Sequence, residues 1–303
     1  MSETENQQIN KSANQQMADA ITGESAIHNP QSAMNAWRLL VHDAATGPEN
    51  MAVDEAISRA VAEGLAPPTL RFYAWEPPCI SLGRHQSLNA LDVDRCRELG
   101  YGIVRRPTGG RAILHTDELT YSLVAPPDHP LMSGMVLESY LRVSAGLVAG
   151  LARLGIRAEP ASGASRPGPD VSAACFEVPS AYEIVADDRK LLGSAQSRRA
   201  KVVLQHGSLP LCGDLTRLIE CLALPSPAER EALRRSLTEH AATVEQLTGR
   251  RVSYAEAVEA MIAGFASALD LNVTPGDLNE AEMAWAVDLV CEKYGNREWT
   301  ERA

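Results

Sequence analysis

Residues 174–209, "ACFEVPSAYEIVADDRKLLGSAQSRRAKVVLQHGSL", hold apolar pairs, an Asp187–Asp188 turn and a strand ending in Gly207–Ser208. Together these features predict a three-stranded β-meander. Alternation within "RKLLGSAQ" puts Lys190, Leu192 and Ser194 on one face, with Arg189, Leu191 and Gly193 on the other. Gly193 and Ala195 trim the side chains beside Lys190, leaving room for something long to lie over the strand. Two readings of Lys190 stay open: an exposed edge lysine, or an inward cation that must desolvate or find an anion. Cys175 has two readings as well. It is an inert, small hydrophobe, or a nucleophile whose thiolate is favoured by a nearby cation, with His206 and Lys190 as candidates within this unit.

The flanking sequence places this meander in an α+β protein. "GPENMAVDEAISRAVAEG" predicts a helix, with Pro48 and acidic residues early, apolar residues at helical spacing and Gly64 as a stop. "TLRFYAWEP" and "CISLGRHQ" read as strands around a Pro-Pro break. "DVDRCRELG" reads as a helix, and "YGIVRRP", "AILH" and "LTYSLVAP" as strands. "SGMVLESYLRVSAGLVAGLARLG" is an amphipathic helix, and from about Leu215 the text turns helical. Strands interrupted by helices, then a helical end, fit α+β better than a βαβ array. The expected division is a disordered polar tail over 1–35, a catalytic domain over 36–270 and a C-terminal helical extension over 271–303.

In "RRPTGGRAILH" (Arg105, Arg106, Thr108, Gly109, Gly110, Arg111, His115) the Gly-Gly pair lies between two predicted strands. That context makes it neither a P-loop nor a dinucleotide fingerprint. It is a plain turn, or a place where the backbone can approach a ligand closely. The net charge of −11 argues against general nucleic-acid binding. Against that background "VRRPTGGRA" and "QSRRAK" are basic islands, suited to an anionic ligand, to docking of an acidic partner, or to a solvated edge. The six cysteines show neither a CxxC pair nor zinc spacing, so no metal is expected. No apolar run is long enough to span a bilayer, and the N-terminus does not read as a secretory signal, so the cytoplasm is the expected location.

Taken together, "NMAVDEAI", "ISLGRHQ", "RRPTGGRAILHTDELTYSL", "CFEVPSAYEI…RKLLGSAQSRR…VLQHGSL" and "EKYGNREW" resemble the lipoate–protein ligase/octanoyltransferase superfamily. More narrowly, they look like its octanoyl-carrier-protein-dependent octanoyltransferases, over roughly residues 36–299. The resemblance implies the biotin/lipoate protein ligase catalytic fold: a mixed, mostly antiparallel sheet packed by helices, a ligand groove over the sheet, and a small helical C-terminal part. It implies transfer of an octanoyl group from acyl carrier protein to a lysine of a lipoyl domain, typically glycine cleavage H protein, as the first step of lipoate biosynthesis. Cys175 matches the acyl-thioester cysteine, and Lys190 the lysine that lowers its pKa and positions the acyl carbonyl. The "RRPTGGR" loop, His115, Gly193, Ser194, Ala195, Gln196, His206 and Gly207 match the acyl and phosphopantetheine groove.

ATP-dependent lipoate ligases typically carry Arg-Ser-Gly-Gly-Gly where this chain has Pro107-Thr108-Gly109-Gly110-Arg111. They carry Arg-Asn-Asp where it has Ala174-Cys175-Phe176. Both departures favour transfer from a thioester, which needs no cofactor. The alternatives are a ligase using ATP and magnesium, an amidotransferase acting between lipoyl domains, and a non-catalytic acyl binder.

Overall fold

A computed structural model describes residues 36–161 and 183–302; the polar stretch 1–35 and the segment 162–182, which contains Cys175, lie outside the described residues. In chain order the elements are β1 (Ala36–Val41), α1 (Gly47–Ala62), β2 (Thr69–Tyr73), β3 (Cys79–Leu82), α2 (Val93–Glu98), β4 (Gly102–Arg105), β5 (Ile113–His115), β6 (Glu118–Ala125), α3 (Val136–Arg153) and β7 (Glu159–Pro160). After the undescribed segment come β8 (Glu183–Ala186), β9 (Arg189–Arg199), β10 (Val202–Pro210), a 3₁₀ stretch (Leu215–Cys221), α4 (Pro227–His240), α5 (Val244–Thr248) and α6 (Tyr254–Leu269). The chain ends with β11 (Asn272–Pro275), α7 (Glu280–Leu289), one π turn (Val290–Tyr294) and α8 (Arg297–Glu301).

Local chemistry explains most of these boundaries. Thr46 and Glu49 form a reciprocal capping box at the start of α1. Behind the cap, Met51, Ile57 and Val61 bury their side chains at helical spacing, each worth about 2 kcal/mol. Asp187 and Asp188 both take positive φ, 49° and 58°, which is the turn that two twisted strands need in a two-residue hairpin. β8, β9 and β10 therefore run as the antiparallel meander that the sequence predicts.

The meander is part of an eight-stranded mixed sheet with order β11-β1-β2-β6-β10-β9-β8-β7. β1 and β2 are parallel, while the pairs β2–β6, β6–β10, β10–β9 and β9–β8 are antiparallel. A smaller sheet, β4-β3-β5, sits beside it. Thus "AILH" and "LTYSLVAP", adjacent in sequence, belong to different sheets. Helices α3 and α6 cover one face of the main sheet, where Tyr121 meets Phe265. The two helices approach so closely that a Cβ on Gly264 would lie 2.2 Å from the Gly150 nitrogen. α1 and the small sheet lie over the opposite face, which is the groove face.

Two expectations change. "LTRLIECLAL" forms a 3₁₀ stretch rather than an α-helix, capped by the Asp214 carboxylate. The "NVTP" stretch adds β11 to the sheet edge beside β1, in a region read as helical. Its short length and the burial of Val273 alone left no alternating pattern to recognise.

Candidate active site

Lys190 reaches the groove face through an irregularity in β9. Glu183 pairs with Gly193 and Ile184 with Leu192, but Val185 pairs with Lys190, so Leu191 is an extra residue in the ladder. This β-bulge shifts the phase of the strand by one residue. Lys190 therefore shares a face with Gly193 and Ala195, not with Leu192 and Ser194, which corrects simple alternation. A Cβ on Gly193 would lie 3.4 Å from Lys190 Nζ, so the glycine leaves space beside the ammonium. Lys190 is 0% exposed and forms an ion pair with Glu183, itself buried on the same face. The pair offsets the desolvation of a buried cation.

Cross-strand register extends this face. Gly193 pairs with Ser208, and Ala195 with His206. His206 in turn pairs with Ser122, and Ser122 with Arg71. Arg71, Ser122 and His206 converge on Asp54 of α1, which is fully buried. Asp54 accepts hydrogen bonds from Arg71 Nη1 at 2.8 Å, from the Tyr73 hydroxyl at 2.9 Å and from Ser122 Oγ at 2.9 Å. Burial alone would raise its pKa, but the contact with His206 and the Arg71 guanidinium outweigh burial and hold it at about 2. Burial lowers the pKa of His206, with Asp54 pulling the other way. An ionised Asp54 has no proton to give, so His206 Nδ1, 3.3 Å away, carries the hydrogen. The bare Nε2 then accepts the Thr108 hydroxyl proton at 2.7 Å.

A second chain of the same kind lies alongside. His115 Nδ1 donates to the Glu118 carboxylate at 2.7 Å, while the ring stacks on Trp75 at 4.0 Å between centroids. Thr120 and Ser208 also donate to Glu118. His115 Nε2 meets Ser81 Oγ at 2.7 Å, and Ser81 Oγ accepts from Arg106 Nη1 at 3.0 Å. Arg106 also donates to the carbonyls of Gly109 and Arg111, folding the glycine loop around its guanidinium. Gly110 sits at φ +94°, a conformation that side chains rarely adopt. Two carboxylate–imidazole–hydroxyl chains therefore pin this loop over the sheet, one at Thr108 and one at Arg106.

The structure thus brings together Lys190, Gly193, Ala195, His206 and Thr108 on the groove face, with Gly109 and Gly110 in the loop held by Arg106. Ser194, Gln196 and Gly207 turn instead toward the helices. Ser194 Oγ lies 2.7 Å from the Tyr121 hydroxyl, and Gln196 donates to Gln205 and Ser139. The space of a Gly207 Cβ lies 2.6 Å from the Tyr121 ring. Arg105 is fully buried, and its guanidinium donates to the carbonyls of Gly83, Gln86, Trp299 and Thr300. Trp299 Nε1 returns a bond to the Arg105 carbonyl at 2.8 Å. Arg198 donates to the Met132 and Gly134 carbonyls and to Ser139. Arg105 and Arg198 are therefore internal clamps, which corrects their reading as docking charges. Cys175 lies outside the described residues. Of the described cysteines, Cys79 is buried, and burial pushes its thiol up to about 12.

Sequence reasoning missed Asp54, Arg71, Glu118 and Glu183. Asp54 had a signal, because an acid on the apolar stripe of a helix, between Met51 and Val61, demands a buried partner. Arg71 between Leu70 and Phe72 carried a similar one.

The motifs quoted from the two ends of the chain converge in space. Glu55 of "NMAVDEAI" accepts from Lys293 and Tyr294 of "EKYGNREW", both at 2.5 Å. Trp299 of the same terminal motif holds Arg105 of the glycine loop.

A mixed sheet with a buried lysine on one face and a glycine loop pinned by two carboxylate–imidazole–hydroxyl chains matches the class of the lipoyl protein ligases. A family model for the lipoyl protein ligase A/B catalytic domain matches residues 46–266. The octanoyltransferase LipM of Symbiobacterium thermophilum is 48% identical over 271 residues, covering 88% of this chain and 98% of that protein. The octanoyltransferase LipM of Carboxydothermus hydrogenoformans is 43% identical over 270 residues, covering 89% and 100%. Among solved structures, the bipartite lipoate protein ligase of Thermoplasma acidophilum superposes with a TM-score of 0.74 at 26% identity, covering 88% of this chain and 96% of that one. A lipoate-protein ligase A bound with ATP gives 0.73 at 27%, covering 88% and 98%. The chain belongs to the lipoyl protein ligase A/B family and, within it, to the LipM octanoyltransferases; it is an acyltransferase. Among the described residues, no helix is long and apolar enough to cross a membrane.

Proposed function

We propose that the chain acts in the cytoplasm, transferring an octanoyl group from octanoyl acyl carrier protein to a lysine of a lipoyl domain such as glycine cleavage H protein. Transfer runs through a thioester on Cys175, with no ATP or metal. The observation that carries this reading is Lys190, a buried ammonium on the groove face that packs directly over Gly193, where a side chain would crowd it. In the first step the Cys175 sulfur bonds to the acyl carbon and the carrier's S–C bond breaks. The carrier leaves as a free thiol, taking up the proton that Cys175 gives. In the second step the acceptor amine bonds to the acyl carbon, the Cys175 S–C bond breaks, and the amine's proton returns to sulfur. One thioester is exchanged for another first, and the downhill amide bond draws the second step.

Lys190 has two roles in this scheme. An ammonium about 4 Å from a thiolate stabilises it by roughly 4 kcal/mol at an effective dielectric constant of about 20. That is enough to make a thiol reactive at neutral pH. The same N–H groups favour the oxyanion that develops on the acyl carbonyl. The second relation, between Lys190 and Glu183, keeps the cation in place when the groove is empty.

The test is to incubate the full chain with octanoyl carrier protein, without ATP, and to measure its intact mass. One octanoyl adduct is expected, and Cys175→Ala abolishes it. No adduct, with activity appearing only on addition of ATP and lipoate, points to the ligase chemistry instead. An adduct formed only from an octanoylated lipoyl domain points to amidotransfer.

A further inference from the structure

A cleft of about 540 Å³ opens at the ends of β2, β6 and β10, away from the glycine loop. Trp75, Glu118 and Tyr254 line it, and Arg251 stands at its rim. The Tyr254 hydroxyl has no hydrogen-bond partner among the described residues. The cleft leads toward the groove face. Glu118 accepts from Ser208, Ser208 lies opposite Gly193, and Gly193 borders the Lys190 ammonium.

The chemistry of the walls selects an occupant. Carboxylates beside aromatic rings suit a long alkyl stem that ends in a cation: the methylenes pass along Trp75 and Tyr254, and the half-exposed Asp117 carboxylate, with the negative Glu118 beneath, draws the charge. The rim has the opposite sign. The Arg251 side chain is 79% exposed and meets Glu245 only at 3.6 Å. Asp117, which also lines the cleft, is paired with Arg217 at 2.5 Å. An exposed arginine at the mouth of a carboxylate-floored cleft, in a chain of net charge −11, is complementary to a lysine presented on an acidic surface.

We propose that this cleft is the entry for the acceptor lysine, with Arg251 contacting carboxylates that flank that lysine on the partner. The proposal rests on the transfer reaction above. It separates the two substrates in space, with the acyl chain lying along β9 over Gly193 and Ala195 and the amine arriving from the strand ends.

The experiment follows the two half-reactions separately in the full chain. Acyl-enzyme formation from octanoyl carrier protein is read by intact mass, and transfer to an apo lipoyl domain by rapid quench. Arg251→Glu, a surface change, is expected to leave the first rate within about twofold of the parent. It should slow the second at least tenfold at low salt, with the gap narrowing at high salt because exposed charges are screened. Tyr254→Leu is expected to slow the second step without that salt dependence. Parental transfer by Arg251→Glu, or an equal loss in both half-reactions, overturns the proposal. If the parent itself forms no acyl-enzyme, the proposed function fails, and titration with the apo lipoyl domain still decides the cleft. Binding to Arg251→Glu that is weakened tenfold supports it, and unchanged binding overturns it.

Discussion

Replacing Asp54 by Asn removes one charge from the most heavily bonded carboxylate on the groove face and changes the volume very little. Three donors and His206 converge on it, and Arg71, only 1% exposed, would be left as a buried cation without its anion. Removing one partner of a buried pair costs about 3–5 kcal/mol. At roughly 2 °C per kcal/mol for a chain of this size, the melting temperature should fall by about 6–10 °C at pH 7. The pH dependence gives an internal check. Folding depresses the pKa of Asp54 from 3.8 to about 2, so its charge stabilises the fold fully above about pH 4. That contribution, about 2 kcal/mol, is lost as the pH falls from 4 toward 2. The gap between parent and Asp54→Asn should therefore narrow in that window, because a protonated aspartic acid resembles the amide. Thermal unfolding followed by circular dichroism at pH 7, 4 and 3 measures both quantities. A variant that melts within 2 °C of the parent at pH 7 would show that Asp54 is not the anchor of this network. A gap that stays constant down to pH 3 would show that its charge is not what matters.

Thr108→Val keeps the shape but leaves His206 Nε2 without its donor, which costs about 1–3 kcal/mol for a buried acceptor. Steady-state transfer should fall about tenfold, equivalent to about 1.4 kcal/mol, and Thr108→Ser should restore it. Glu183→Leu strands a buried ammonium and should destabilise by about 3 kcal/mol or more; the double variant Glu183→Leu/Lys190→Met should regain most of that stability. If transfer returns together with stability in the double variant, Lys190 has no chemical role. Trp299→Ala removes a half-buried ring that packs on Tyr294 and carries the cation of Lys293 at 4.2 Å from its centroid. Unfolding should show a loss of about 2 kcal/mol, and limited proteolysis should open new cleavage sites beyond Tyr294; an unchanged digestion pattern would count against the clamp on Arg105.

Much of the architecture was legible because its determinants are local. Thr46 and Glu49 are three residues apart and cap α1, and two aspartates in sequence turn β8 into β9. The loop "PTGGR" was placed correctly between strands because its flanks alternate. What could not be read locally was the wiring of the site. Thr108 and His206 are 98 positions apart, and Asp54 and His206 are 152 apart, so neither bond leaves a local pattern. The arginines misled for the same reason. A guanidinium reads as surface charge until the acceptors that absorb its protons are seen: backbone carbonyls around Arg105, and two carbonyls with the Ser139 hydroxyl around Arg198.

The bulge at Leu191 has a consequence for how this strand tolerates change. Period two obliges residues 190 and 192 to look the same way, yet the enzyme sends Leu192 into the helix-packed core and Lys190 into the groove. One surplus residue with no chemistry of its own resolves the conflict. Every position from Arg199 back to Leu192 keeps one parity, and the residues before it keep the other. A conservative change of side chain at 191 leaves that parity intact, whereas inserting one further ladder residue there would turn the ammonium toward the helices. In this strand the spacing between residues is therefore as much a part of the active site as the residues themselves.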